Sequence, residues 1–401
     1  MINLETPKKF RMLVEQAHQV AAEIFRPNSR KYDLAEHSYP KELDMLGALL
    51  DGMNAGSGEG AGAAGVRRDK VADEGNRNGS NLSTVLGVME LCWGDVGLLL
   101  SMPRQGLGNS AIASVASDEQ LKRFEGRWAA MAITEPHCGS DSAAIRTTAR
   151  LDGDHYVLNG EKIYVTAGER ADLVVVWATL DRSAGRAAIK SFVVEKGTPG
   201  FELVRLGHKL GIRASDTAHF SLVDCRVPKE NLLGDPTINV EKGFAGVMQT
   251  FDNTRPLVAG MAVGLTRACL EETRKLLTQA GVKIDYQRPA ATQSAAAAEF
   301  LRMESDYEAA RLLTLQAAWM ADNRKPNSLQ ASMAKAKAGR TCVEVALKCV
   351  ELSGTLGYSE HSLLEKWARD AKILDIFEGT QQIQLLIIAR RLLGKSSAEL
   401  K

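Results

Sequence analysis

Residues 145–160 read Ile-Arg-Thr-Thr-Ala-Arg-Leu-Asp-Gly-Asp-His-Tyr-Val-Leu-Asn-Gly, and their period of two decides the fold class. Ile145, Thr147, Ala149 and Leu151 alternate with polar residues into Asp152-Gly153, a two-residue hairpin signal. His155 to Leu158 runs into Asn159-Gly160, a second such signal. Leu173 to Thr179 reads as a short apolar strand, and Ser191 to Glu195 and His219 to Val223 are further candidates. Turn signals at this density predict a compact antiparallel β domain over 129–236.

Outward from this segment the period changes to that of helices. On the N-terminal side, Phe10 to Ile24 and Leu82 to Leu100 carry apolar residues three and four apart, predicting an α-helical domain over 1–128. On the C-terminal side, Val258 to Leu277, Ala295 to Met320, Leu329 to Ser353 and Leu363 to Ile376 are amphipathic, followed by a last helix from Gln381 to Leu393. The expected fold is mostly α with a β insert, and residues 237–401 form a four-helix bundle.

Composition narrows the function. The 401 residues hold 50 Lys+Arg against 49 Asp+Glu, a formal charge of +1, without the basic excess that a nucleic-acid or anionic-membrane partner calls for. A hydrophobic share of 45% with 25% charged residues fits a soluble globular protein. Six cysteines without a C-x-x-C spacing argue against a disulfide framework or a zinc site. His137 and Cys138 adjoin, but no third ligand has suitable spacing, so no metal is expected. The opening residues MINLETPKKF lack the apolar run of a signal peptide, and Leu173 to Leu180 is too short for a membrane span. A cytoplasmic protein is the expectation. Gly52 to Ser80 is Gly-rich, but no strand precedes it and no helix opens directly after a nucleotide-type motif, so it reads as a flexible loop.

Two segments carry chemistry. In Asp375-Ile376-Phe377-Glu378-Gly379-Thr380, Gly379 breaks two helical patterns and Thr380 is a candidate N-cap. Glu378 then lies at a helix junction among Ile376, Phe377 and Ile383, where burial would raise its pKa toward that of a general base. Taken alone, a glutamate on a solvated turn is the plainer reading. In Met131 to Asp141, Pro136 stops a strand and Gly139-Ser140-Asp141 offers free N–H groups and hydroxyls. Such a loop can clasp a polar cofactor or be an ordinary turn.

The chain resembles the acyl-CoA dehydrogenases from Leu82 onward. The resemblance rests on ITEPHCGSD (133–141), NGEKIYVTAG (159–168), GIRASDTAHFSLVDCRVPKENLLG (211–234), KGFAGVMQTFDNTRPLVAG (242–260) and WARDAKILDIFEGTQQIQ (367–384). It implies FAD-dependent dehydrogenation of an acyl-CoA thioester to a trans-2-enoyl-CoA, a step of fatty acid β-oxidation. Glu378 would remove the α proton while the β carbon passes a hydride to flavin N5. The Glu378 N–H and a flavin hydroxyl would stabilise the enolate oxygen. By the same resemblance Met131, Ala132, Ile133, Thr134 and Ser140 line the flavin, with Tyr164, Val165 and Thr166 beside its ring. Thr380, Gln381 and Gln382 take its diphosphate and adenosine. Ser140, Asp252, Asn253, Arg255 and Gly379 are the implied substrate contacts, although Asp252 and Arg255, three apart on a helix, also read as a surface ion pair. Thr254 stands where some relatives carry the base and cannot serve as one. An electron-transfer flavoprotein is the implied electron acceptor. Helices around Pro103 to Ala113, rich in small residues, suggest a roomy acyl pocket.

The sequence departs from the family where the family holds FAD across a subunit interface. Its R-x-x-F-G motif is replaced by Gly281 to Pro289, and the glutamine of its Q-x-x-G-G segment by Glu351. Gln293 is the remaining candidate for a contact in trans. These losses suggest an α2β2 heterotetramer with a related subunit, as one branch of the family forms. A homotetramer is the alternative, as are a non-catalytic subunit and an oxygen-using relative.

Overall fold

The structure, a computed structural model, describes residues 5–48, 78–103, 107–238, 245–396 and 399, and for 245–253 the backbone alone. Most of the Gly-rich 52–80 segment lies outside these residues.

The β domain is built around β4 (Leu173–Thr179), whose seven residues are all buried, as expected of an apolar, β-branched strand flanked on both sides. Among the described residues the sheet has eight strands. The others are β1 (Ala129–Ala132), β2 (Thr148–Asp152), β3 (His155–Thr166), β5 (Ile189–Glu195), β6 (Phe201–Leu206), β7 (Thr217–Pro228) and β8 (Leu232–Leu233). Their order is β6-β7-β3-β2-β4-β5-β8, with β1 pairing β4 off this path. Most pairings are antiparallel, but β1 runs parallel to β4, Ala129 opposite Leu173, and β2 meets β4 in parallel at Thr148 and Thr179. The sheet is therefore mixed.

The Asp152 hairpin forms, with Asp152 opposite His155 and Gly153 in the left-handed region at φ 64°. Asn159-Gly160 does not turn. Strand β3 continues through it to Thr166, with a register shift against β7 between Leu158 and Gly160. The glycine serves close approach instead: a Cβ there would lie 2.4 Å from Thr147 Oγ1.

The helical flanks share one core. Phe25, Met89 and Cys92 from the N-terminal part pack in the same cluster as Cys269, Phe300, Cys342 and Trp367 from the C-terminal part. Helix α1 (Arg11–Val20) passes through a π-turn (Ala21–Phe25) into α2 (Arg26–Leu34), ten residues beyond the expected end. The expected Leu82–Leu100 helix is split at Asp95 into α3 (Ser80–Gly94) and α4 (Val96–Leu100), because the Asp95 side chain accepts from Leu98 N and caps α4. No residue next to α3 caps it. The Asp322 carboxylate does, accepting from the N–H groups of Gly79, Asn81 and Leu82 at 2.7, 2.9 and 3.1 Å.

In the C-terminal part, α7 (Ala245–Gln279) begins well before Val258 and carries Pro256 inside it. Helices α5 (Leu107–Val115) and α6 (Asp118–Arg123) lead into the sheet. The bundle is completed by α8 (Ala295–Asp322), α9 (Ser328–Tyr358), α10 (Leu364–Ala371) and α11 (Gln381–Leu393). All six cysteines are buried and unpaired by disulfides. Among the described residues no helix is long and apolar enough to cross a membrane.

Candidate active site

After α10, a 3-10 turn (Lys372–Asp375) leads to two successive left-handed residues, Glu378 at φ 56° and Gly379 at φ 88°, before Thr380 caps α11 through Ile383 N. A left-handed glutamate persists only where its surroundings hold it. A side chain at Gly379 would be strained at this φ, and its Cβ, 2.5 Å from Gln384 Nε2, would push that amide away. That amide donates to the carbonyls of Glu378 and Gly379 at 3.2 and 3.1 Å. From the other side Lys335 Nζ donates to Gly379 O at 2.7 Å.

The Glu378 carboxylate is half-buried and its Oε2 accepts from Thr254 Oγ1 at 3.1 Å. Burial raises its pKa, and the Thr254 bond, then the charges of Lys335 and Arg255, draw it partway back. Lys335 is fully buried. Burial pushes it down to about 8, opposed by Asp375 and Glu378 and assisted by Arg255. A carboxylate with a raised pKa, one hydroxyl partner and two nearby cations has the makings of a general base. Thr254→Val removes a donor that favours the ionised form, so the Glu378 pKa should rise further. The acidic limb of the kcat–pH profile should therefore move to higher pH with the plateau retained. An unmoved limb would show that the bond does not tune the carboxylate.

A second group sits on the sheet. Lys162 and Glu135, buried and 2.8 Å apart, anchor the loop after β1. Lys162 Nζ donates to Ile133 O at 3.0 Å, Ile163 N donates to Thr134 O at 2.9 Å, and Glu135 accepts from the N–H groups of Arg146 and Thr147. This fixes Met131, Ile133 and Thr134, all half-buried, beside exposed Ser140. Across from them Tyr164 stands exposed in left-handed backbone at φ 59°, next to half-buried Thr166. The result is an edge of hydroxyls with one aromatic face. Ala132 and Val165 are buried in the sheet core. On α11, Gln381 is buried and its Oε1 has no hydrogen-bond partner among the described residues, while Gln382 is exposed.

The hydrogen bonds of Glu378 run to Thr254 and Gln384, both on helices, while those of the sheet group stay within the β domain. Arg255 is buried rather than on the surface, and its charge bears on Glu378 and Lys335. The side chains of Asp252 and Asn253 lie outside the described residues. Gln293 is engaged by its own loop, donating to Asp285 O and Arg288 O and accepting from Asp285 N. Glu351 is paired with Lys348 at 2.6 Å.

Sequence reasoning missed Lys335 and Gln384. Lys335 lies in register with Ala331, Ala334, Ala338 and Cys342, so helical periodicity places it on the buried face. Nothing local marked Gln384 as a clamp.

Comparison with known proteins bears on both groups. The model described as "Acyl-CoA dehydrogenase, middle domain" matches residues 130–225, and that described as "Acyl-CoA dehydrogenase, C-terminal domain" matches 241–393. The chain is 33% identical to the mitochondrial short-chain specific acyl-CoA dehydrogenase of Bos taurus, over 98% of this chain and 92% of that one. It is 35% identical to the short-chain specific acyl-CoA dehydrogenase of Clostridium acetobutylicum, over 79% of this chain and 84% of that one. The structure of butyryl-CoA dehydrogenase from Megasphaera elsdenii superposes with a TM-score of 0.81 at 29% identity, covering 98% of this chain and 100% of that one.

Proposed function

Because the chain belongs to the acyl-CoA dehydrogenase family of FAD-dependent oxidoreductases, we propose that it dehydrogenates a short-chain acyl-CoA between its α and β carbons, with Glu378 as the base. The observation that carries this reading is the half-buried Glu378 carboxylate, its pKa raised by burial and trimmed by Thr254, Lys335 and Arg255.

The residues present fit FAD. The hydroxyls of Thr134, Ser140, Thr166 and Thr380, the exposed Tyr164 ring and the unpartnered Gln381 Oε1 form a largely neutral set of donors and acceptors. Such a set suits a large planar ring with polar edges. Met131, Ile133 and Gln382, with the backbone of Ala132 and Val165, complete the residues that would hold it. Bound FAD supplies the hydride acceptor for the β carbon. Glu378 takes the α proton onto its carboxylate. Among the described residues the Glu378 N–H makes no hydrogen bond, so it is free to donate to the thioester oxygen as negative charge develops there, an oxyanion-hole role. Ser140, Asp252, Asn253 and Gly379 are the proposed substrate contacts, with Arg255 acting on the base. Short-chain substrates are proposed from the relatives' names. Steady-state rates with acyl-CoAs of graded length test this, the expected maximum lying near butyryl-CoA.

The electron acceptor is proposed to be an electron-transfer flavoprotein, and the location cytoplasmic. For assembly we favour a tetramer with a related, unlike subunit. Gln293 is held by its own loop and Glu351 places a carboxylate where a neutral donor to FAD is wanted. Leu385, Leu386, Leu392 and Leu393 on α11 are exposed by 43–64%, an apolar stripe suited to a subunit contact. The chain purified alone is expected to carry clearly less than one FAD per chain. A full complement of FAD with full activity would favour the homotetramer.

A further inference from the structure

Lys335 belongs to the buried face of α9, among Ala331, Ala334, Ala338 and Cys342, and its side chain is fully enclosed. A buried ammonium opposes folding unless its charge and protons are used. Its hydrogen bond goes to a backbone carbonyl, Gly379 O at 2.7 Å, and not to a carboxylate. The groups facing it are the carboxylates of Asp375 and Glu378 and the guanidinium of Arg255. Asp375 is itself paired with Lys372 at 3.3 Å. Helix α9 comes this close because Gly339, one turn on, has no side chain: a Cβ there would meet Leu374 O at 2.7 Å.

The carbonyl that Lys335 holds belongs to the second of two left-handed residues, the first being Glu378 itself. Such a turn is strained at its non-glycine residue and needs fixed partners. Gln384 Nε2 grips it from the α11 side and Lys335 Nζ from the α9 side.

We propose that Lys335 is a positioning residue for the dehydrogenation: its ammonium pins the Gly379 carbonyl, thereby holding the Glu378 turn in its left-handed form, and sets a positive charge beside the Glu378 carboxylate. The proposal rests on the reading of Glu378 as the base. Lys335 acts through the turn and the field, without touching the reacting atoms.

Lys335→Met keeps the volume and removes the donor and the charge; Lys335→Arg keeps the charge and does not titrate in the working range. In the FAD-loaded protein, Lys335→Met is expected to lower kcat about 30- to 100-fold, of the order lost when a catalytic group is misplaced. KM should change less than about threefold, and Tm and flavin content should be retained. Losing a neighbouring cation raises a carboxylate pKa, so the acidic limb of kcat should move to higher pH. Lys335→Arg should keep the acidic limb in place, and Lys335→Gln, which keeps a donor without the charge, should move it to higher pH. Independently of activity, a crystal structure of Lys335→Met should show Glu378 leaving the left-handed region. Unchanged kcat and an unmoved acidic limb in Lys335→Met would overturn the proposal. So would an acidic limb that stays in place in Lys335→Gln, the decisive result should Lys335→Met not fold. Glu378→Gln separates the two levels: if that variant keeps its kcat, the base assignment fails whatever Lys335 does.

Discussion

Glu378→Gln is expected to lower kcat by about 10²–10⁴-fold, the range that a positioned general base contributes, with KM nearly unchanged. The change keeps the size of the side chain and a hydrogen-bonding oxygen for Thr254, so the turn and the flavin content should be retained. Its effect on stability has the opposite sign. Burial raises the Glu378 pKa in the folded protein, so the folded state binds its proton more tightly than the unfolded chain does. The stability this group contributes is complete below the ordinary glutamate range and is lost as pH rises through the raised value. Glutamine escapes that loss. Glu378→Gln should therefore melt above the parent between pH 7 and 9, with the gap closing toward pH 4. A variant that loses activity and melts lower at neutral pH would point to a structural glutamate.

The largest expected loss of stability lies elsewhere. Lys366 is buried between Asp95 and Asp370, both fully buried, and is 2.6 Å from Asp370 Oδ2. Burial opposes its charge, but Asp370 and Asp95 outweigh that and hold it well above the ordinary lysine range. Asp95 also accepts from Ser29 on α2 and from Leu98 N on α4, while Asp370 accepts from Ile212 N in the β domain at 2.5 Å. One ammonium cluster thus joins the N-terminal helices, the β6–β7 connection and α10. Lys366→Met would leave two carboxylates buried without their cation, a change of about 3–5 kcal/mol by analogy with other broken buried pairs. Denaturant melts should show it as a large fall in midpoint. A loss under about 1 kcal/mol would mean that water reaches the cluster.

The fold was legible where local pattern and tertiary context agree. Strand β4 occupies Leu173–Thr179 and helix α11 Gln381–Leu393, both at the boundaries their apolar pattern implies. It was misread where a distant contact overrides a local signal. Asn159-Gly160 is a turn dipeptide by propensity, yet its glycine is there because Thr147 leaves no room for a side chain. The helix read from Val258 starts earlier, with Pro256 inside α7. The cap of α3 comes from Asp322, far along the chain, and no reading of the residues around Ser80 could supply it. At the site, the residues around Glu378 taken alone read more plainly as a solvated turn, and the packing of the helices is what half-buries the carboxylate and raises its pKa. The left-handed backbone that aims it depends on Lys335 and Gln384, and these become its neighbours only when α9 and α11 pack together.

The most direct test of the central claim is an anaerobic titration of the FAD-loaded protein with butyryl-CoA, following the visible absorbance of the flavin and the acyl product. The expected result is prompt bleaching, with a trans-2-enoyl-CoA formed in proportion to the flavin reduced and little bleaching of Glu378→Gln over the same time. A flavin that stays oxidised with every acyl-CoA tried, or one that bleaches equally fast in Glu378→Gln, would contradict it.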